Sequence, residues 1–74
     1  MEIFHCRPAE DIGVSVGKTW VRIRHMYNGR VTASNKYYCP IINYYTLHRE
    51  IKAVYDDKTA TEVIKYIQTK LHLI

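Results

Sequence analysis

Residues 18–38, KTWVRIRHMYNGRVTASNKYY, decide how this chain folds. Asn28-Gly29 stands at the centre, between two runs rich in β-branched and aromatic residues. A two-residue type I′ turn needs positive φ at both central positions, and Asn-Gly meets that demand at least cost. The stretch therefore predicts a β-hairpin with arms at 19–27 and 30–38. Alternation along the first arm sets Val21 and Ile23 on one face and Trp20, Arg22, Arg24 and Met26 on the other.

The two arms pose a register problem. A strict two-residue turn pairs Tyr27 with Arg30, Ile23 with Ser34 and Val21 with Lys36, which opposes apolar to polar positions. A slip of one residue groups Val21, Ile23, Tyr27, Val31, Ala33 and Tyr37, and leaves Arg22, Arg24, Thr32, Ser34, Lys36 and Tyr38 opposite. A β-bulge near the turn satisfies both demands, and one is expected.

Outward from the hairpin the signals are shorter. Residues 2–7 alternate loosely and read as a strand ended by Pro8, which lacks an amide hydrogen. Residues 9–17 read as a connection in which Ile12, Val14 and Val16, spaced at two, form a brief edge strand or pin a loop to the core. Cys39-Pro40 closes the second arm. For 44–55 two readings stand. A helix lines up Tyr44, Leu47, Ile51 and Val54; a strand over 50–55 lines up Ile51, Ala53 and Tyr55. The strand is preferred, with Asp56-Asp57 as a strand-to-helix turn. Thr59-Ala60-Thr61-Glu62 has the form of a capping box. Ala60, Val63, Ile64, Ile67 and Leu71 then recur at helical spacing, which predicts a helix over 60–72.

The fold expected is α+β: an antiparallel sheet of three to four strands centred on 18–38, packed by C-terminal helix 60–72. Val21, Ile23, Val63, Ile64, Ile67 and Leu71 are its expected buried residues. With 74 residues, 1–74 form a single small domain, and a hydrophobic fraction of 47% argues against wholesale disorder. So short a chain buries a small core and is marginally stable.

Charge is unevenly spread. The net charge is +4, yet residues 18–52 alone carry +6, from Lys18, Arg22, Arg24, Arg30, Lys36, Arg49 and Lys52 against Glu50. A basic patch of this kind favours a polyanion or an acidic protein surface. Cys6 and Cys39 are the only cysteines, and residues 1–7 contain Glu2 and His5, so no secretory leader is read there and reduced thiols in a cytoplasmic setting are expected. No apolar run approaches the roughly 18 residues of a membrane span, so no membrane partner is expected.

Catalysis is not expected. Phosphate-binding glycine loops, nucleophile elbows and His-Glu-x-x-His pairs are missing from the sequence. No metal and no cofactor are expected either: His5, Cys6, His25, Cys39, His48 and His72 lack the paired spacing of structural zinc ligands. The basic, aromatic hairpin carries the stronger signal. Arg22 and Arg24 project from one face about 7 Å apart, within reach of adjacent phosphates or base edges. Trp20 shares that face, where it stacks on a base or anchors the core. The candidate nucleic-acid-binding residues are Lys18, Trp20, Arg22, Arg24, Arg30, Lys36 and Tyr38.

Two features together, Trp20-Val21-Arg22-Ile23-Arg24 before Asn28-Gly29-Arg30 and Tyr55-Asp56 leading into Thr59-Ala60-Thr61-Glu62-Val63-Ile64, resemble small DNA-binding domains built from a three-stranded sheet and one helix. These are the arm-binding domain of phage-type tyrosine integrases and the domain of plant ethylene-responsive factors. The likeness covers about half of the chain. It implies a sheet that enters the DNA major groove, with Trp20, Arg22 and Arg24 in contact. The chain departs from that pattern in residues 39–48, in the N-terminal strand and in lacking a glycine before the third strand's aromatic residue. The function expected is non-enzymatic binding of nucleic acid, DNA or RNA. The alternative is a viral or mobile-element inhibitor or adaptor that blocks an acidic host protein through the same surface. An open sheet edge makes a homodimer one possible assembly.

Overall fold

The computed structural model describes residues 1–38 and 42–71. The element order is β1 (Glu2–Arg7), β2 (Glu10–Val16), β3 (Trp20–Tyr27), β4 (Arg30–Tyr38), α1 (Tyr44–Val54) and α2 (Asp57–Lys70). The strands form one antiparallel meander in the order β1-β2-β3-β4. The architecture is thus α+β, as its sequence implies, with one helix more than expected. The expected end of the second arm at Cys39-Pro40 lies outside the described residues; the helix expected over 60–72 ends earlier, at Lys70, with Leu71 as its C-cap.

At the β3–β4 turn Asn28 and Gly29 both take positive φ, 51° and 76°, as a type I′ turn requires. Tyr27 pairs with Arg30 and Met26 with Val31, the strict register. One residue further on, His25 pairs with Ala33, and Ile23 and Val21 pair with Asn35 and Tyr37. Thr32 is the extra residue. Its hydroxyl donates to the His25 carbonyl at 3.1 Å, which satisfies the backbone at the expected bulge. The bulge leaves Val31 outside the apolar group assigned to it by the slipped register: it pairs with Met26, on the face of Trp20 and Arg24, and is exposed.

Residues 9–17 are mostly strand. β2 lies between β1 and β3, so it is an interior strand and not an edge. Its register explains why: Ile12, Val14 and Val16 pair with His25, Ile23 and Val21, which makes one continuous apolar face. Ile12 and Val14 are completely buried.

The strand preferred for 50–55 is helical instead. Asn43 caps α1, its side chain accepting from the Thr46 amide at 3.1 Å. Leu47 and Ile51, four apart, then bury one stripe, a periodicity that overrides the three-residue alternation of Ile51, Ala53 and Tyr55. Val54, on the stripe by spacing, is exposed. α2 begins earlier than the capping box implies. Asp56 is the cap, and its Oδ1 accepts from the Thr59 amide at 2.7 Å. Thr59 lies inside the helix and is buried.

The core joins Ile12, Val14, Val21 and Ile23 of the sheet to Leu47, Ile51, Ala60, Val63 and Ile67 of the helices. Ile64 and Leu71, expected to be buried, are half-buried at its margin. α2 lies across β1 and β2, with α1 beside it. His25 Nδ1 and the Tyr55 hydroxyl, 2.8 Å apart, tie β3 to the joint between the helices. Arg7 donates to the Val54 carbonyl from the other side. Both helices therefore occupy one face of the sheet.

Two outcomes check this packing. Ile51→Ala should lower unfolding free energy by about 2–5 kcal/mol in chemical denaturation, the cost of truncating a core residue, whereas Val54→Ala should change it little. The Asp56 carboxyl is held below its ordinary value of 3.8, first by the Thr59 amide and then by the Thr59 side chain. A lowered folded-state value means that this contribution is full above the ordinary value and fades as pH falls through the lowered one. Asp56→Asn, which still caps, should flatten part of the acid-side loss in thermal melts between about pH 2 and 6.

Candidate nucleic-acid interface

The face of the sheet turned away from the helices is built by the alternate positions of all four strands. Cross-strand pairing arranges it in rows. Ser15, Arg22 and Lys36 form one row across β2, β3 and β4. Ile3, Gly13, Arg24 and Ser34 form the next, and His5, Asp11, Met26 and Val31 the third. Trp20 and Tyr38, directly paired, close the opposite end. Neighbouring rows are about 7 Å apart along the strands.

Five of the seven sequence-derived candidates, Trp20, Arg22, Arg24, Lys36 and Tyr38, fall on this face. Lys18 sits in the β2–β3 turn just beyond the Trp20 end, exposed and near Lys70. Arg30 is at the hairpin tip in the register of the helix-side face, paired with Tyr27, so it stands apart from the others. Sequence reading missed the contributions of the first two strands. Ile3, Gly13 and Ser15 belong to the face because β2 is interior, and the signal is the alternation of Asp11, Gly13 and Ser15 with the apolar positions Ile12, Val14 and Val16.

Trp20 is not a core anchor. Its indole lies on Gly17, where an added Cβ would run into the ring. The turn is closed by the Gly17 amide, which donates to the Trp20 carbonyl at 2.8 Å. Lys36 Nζ lies 5.0 Å from the Trp20 ring centroid and 5.3 Å from that of Tyr38, so one ammonium serves two aromatic faces. Tyr38 itself is half exposed, at 53%.

The two arginines are held differently. Arg24 Nη1 donates to Ser15 Oγ at 2.9 Å and approaches Met1 Sδ at 3.5 Å, which lays its side chain across β2. Arg22 stands directly opposite Lys36. Its Nε is buried and makes no hydrogen bond. Like charges on directly opposite residues destabilise a sheet. The ion pairs among the described residues are His5–Asp11, Arg7–Glu10, His48–Asp57 and Lys52–Asp57, so none of them neutralises Arg22, Arg24 or Lys36. The carboxylate on this face, Asp11, is engaged by His5 at 2.6 Å two rows away from Arg22. The arrangement is a short cationic row beside a pair of aromatic rings, with no ion pair to Arg22 or Lys36 among the described residues.

Other chemistry is less developed. Among the described residues no group of three or more His, Cys, Asp or Glu side chains is placed to hold a metal ion; Cys39 and His72 lie outside them. Burial pushes the Cys6 thiol up, with nearby carboxylates adding to the effect against a hydrogen bond from Thr59, so its thiolate is disfavoured. No described helix is long and apolar enough to cross a membrane. No protein-family model matches the chain, and no curated protein or solved structure matches it.

Gly17 offers a direct check on this geometry. Gly17→Ala should lift the indole off its bed and shift the emission of the chain's single tryptophan to the red. The loss of stability should stay below the about 2–5 kcal/mol of a core truncation, because the ring is outside the core. Unchanged emission would show that the indole does not rest on residue 17.

Proposed function

We propose that this is a non-catalytic nucleic-acid-binding protein whose interface is the open face of its sheet. The observation that carries the reading is the Arg22–Lys36 pair. Two cations face each other across β3 and β4 without a carboxylate, beside the Trp20 and Tyr38 rings. Such a pair costs folding free energy in the free protein, and a phosphate bridging the two would remove that cost. Arginine suits the task because its planar fork meets phosphate oxygens two at a time. The net charge of +6 over residues 18–52 adds a long-range attraction for polyanions.

Arg22→Ala with Lys36→Ala should weaken binding to DNA and RNA of any sequence. Each lost phosphate contact should reduce the slope of log affinity against log salt by roughly 0.7–0.9. Circular dichroism should still report a folded chain, since neither side chain belongs to the core. Gel-shift titrations at several low salt concentrations measure both effects. No shift with the wild-type protein at micromolar concentration would remove the nucleic-acid reading and leave an acidic protein surface as the partner of the patch.

A further inference from the structure

Resting on that reading, the geometry points to single-stranded nucleic acid as the ligand, with an unpaired base stacked at the Trp20–Tyr38 end and its phosphate on Lys36 and Arg22.

The width of the face argues first. Four strands span about 14 Å from first to last, at about 4.8 Å per step. The DNA major groove is about 12 Å wide and admits a helix or a two-stranded ribbon. This sheet meets a nucleic acid as a flat platform, not as an insert. The composition of the platform argues next. Around the cationic row lie Ile3, Met26 and Val31, with Trp20 and Tyr38 at the end. Apolar and aromatic surface of this kind has nothing to gain from the phosphate exterior of a duplex. It gains a great deal from the faces of unstacked bases, which a duplex keeps inside.

The position of Lys36 fixes how the two parts work together. Its ammonium rests over both rings in the free protein, which places a cation where a base would stack. A base arriving on Tyr38 and Trp20 carries its own phosphate beside that ammonium, so the charge moves from ring to phosphate while the base takes its place. Arg22 is directly across from Lys36 and holds a buried Nε without a partner. Arg24, from the next row of β3, reaches back to donate to Ser15 in the Arg22 row, so its charge adds to that same row. The rows therefore read as base, then phosphate, along one track.

Trp20 is the chain's single tryptophan, so the subsite reports on itself. The full chain is titrated at low salt with oligo(dT) and oligo(U), and separately with a blunt DNA hairpin, following Trp20 emission. Both single strands should quench the emission, and both should bind more tightly than the hairpin. Tyr38→Ala should weaken single-strand binding by about 5- to 150-fold, the worth of one stacked base, while Tyr38→Phe should retain it. Tyr38 is half exposed, so neither change threatens the fold. Hairpin binding that equals or exceeds single-strand binding, with unchanged emission, would overturn the inference and leave the nucleic-acid reading standing. Unaltered single-strand affinity in Tyr38→Ala would overturn it as well. Failure of both probes to bind would overturn the inference together with the reading it rests on; binding of poly-glutamate in their place would give the patch to an acidic protein.

Discussion

Thr32 is the point on which the two faces of the sheet depend. Asn28-Gly29 fixes the strict register at the turn, and that register alone would set Val21 and Ile23 against polar partners. One extra residue in β4, with its hydroxyl closed onto the His25 carbonyl, shifts the remaining pairs by one position. Side chains alternate with a period of two, so this single shift decides the facing of everything between Ala33 and Tyr38. It sends Tyr37 to the helices and brings Lys36 beside Arg22. The same bulge that completes the core thus assembles the cationic row.

The two faces then divide the work. The helix-side face holds nearly all of the buried apolar area, through Ile12, Val14, Val21 and Ile23 against Leu47, Ile51, Ala60, Val63 and Ile67. Antiparallel sheets tolerate one wet face, and here that face accumulates features that oppose folding: paired cations, an unpartnered Nε and half-exposed rings. In a domain this small the core has little to spare. Concentration of the unfavourable features in one place is the physical argument that they have a use there.

Much of this was legible from residue order. The turn, the bulge and the separation of Arg22 and Arg24 from Val21 and Ile23 follow from the demands of φ and from alternation. What was hidden is tertiary. Ile12, Val14 and Val16 alternate like any short strand, and nothing local says that β1 pairs on their far side and makes β2 interior. Over 44–55 the helical and strand patterns share Ile51, and the tie is broken by the Asn43 cap and by contacts with α2. Asp56 displaced Thr59 as the cap because both offer an oxygen three residues before a free amide. Arg30 groups with the other basic residues by charge, yet it precedes the bulge and so faces the other way.

β4 is an edge strand of nine residues, and most of it is exposed. Its outward amides and carbonyls are a template on which another chain can add a strand. Beyond Arg30 at the tip, Lys36 is the only charged side chain along its length. A second copy pairing on this edge would bring more positive charge to an already basic strip, which opposes such pairing. A polyanion bound as proposed would neutralise that opposition. On the proposed reading, copies bound side by side along a single strand would meet at this edge.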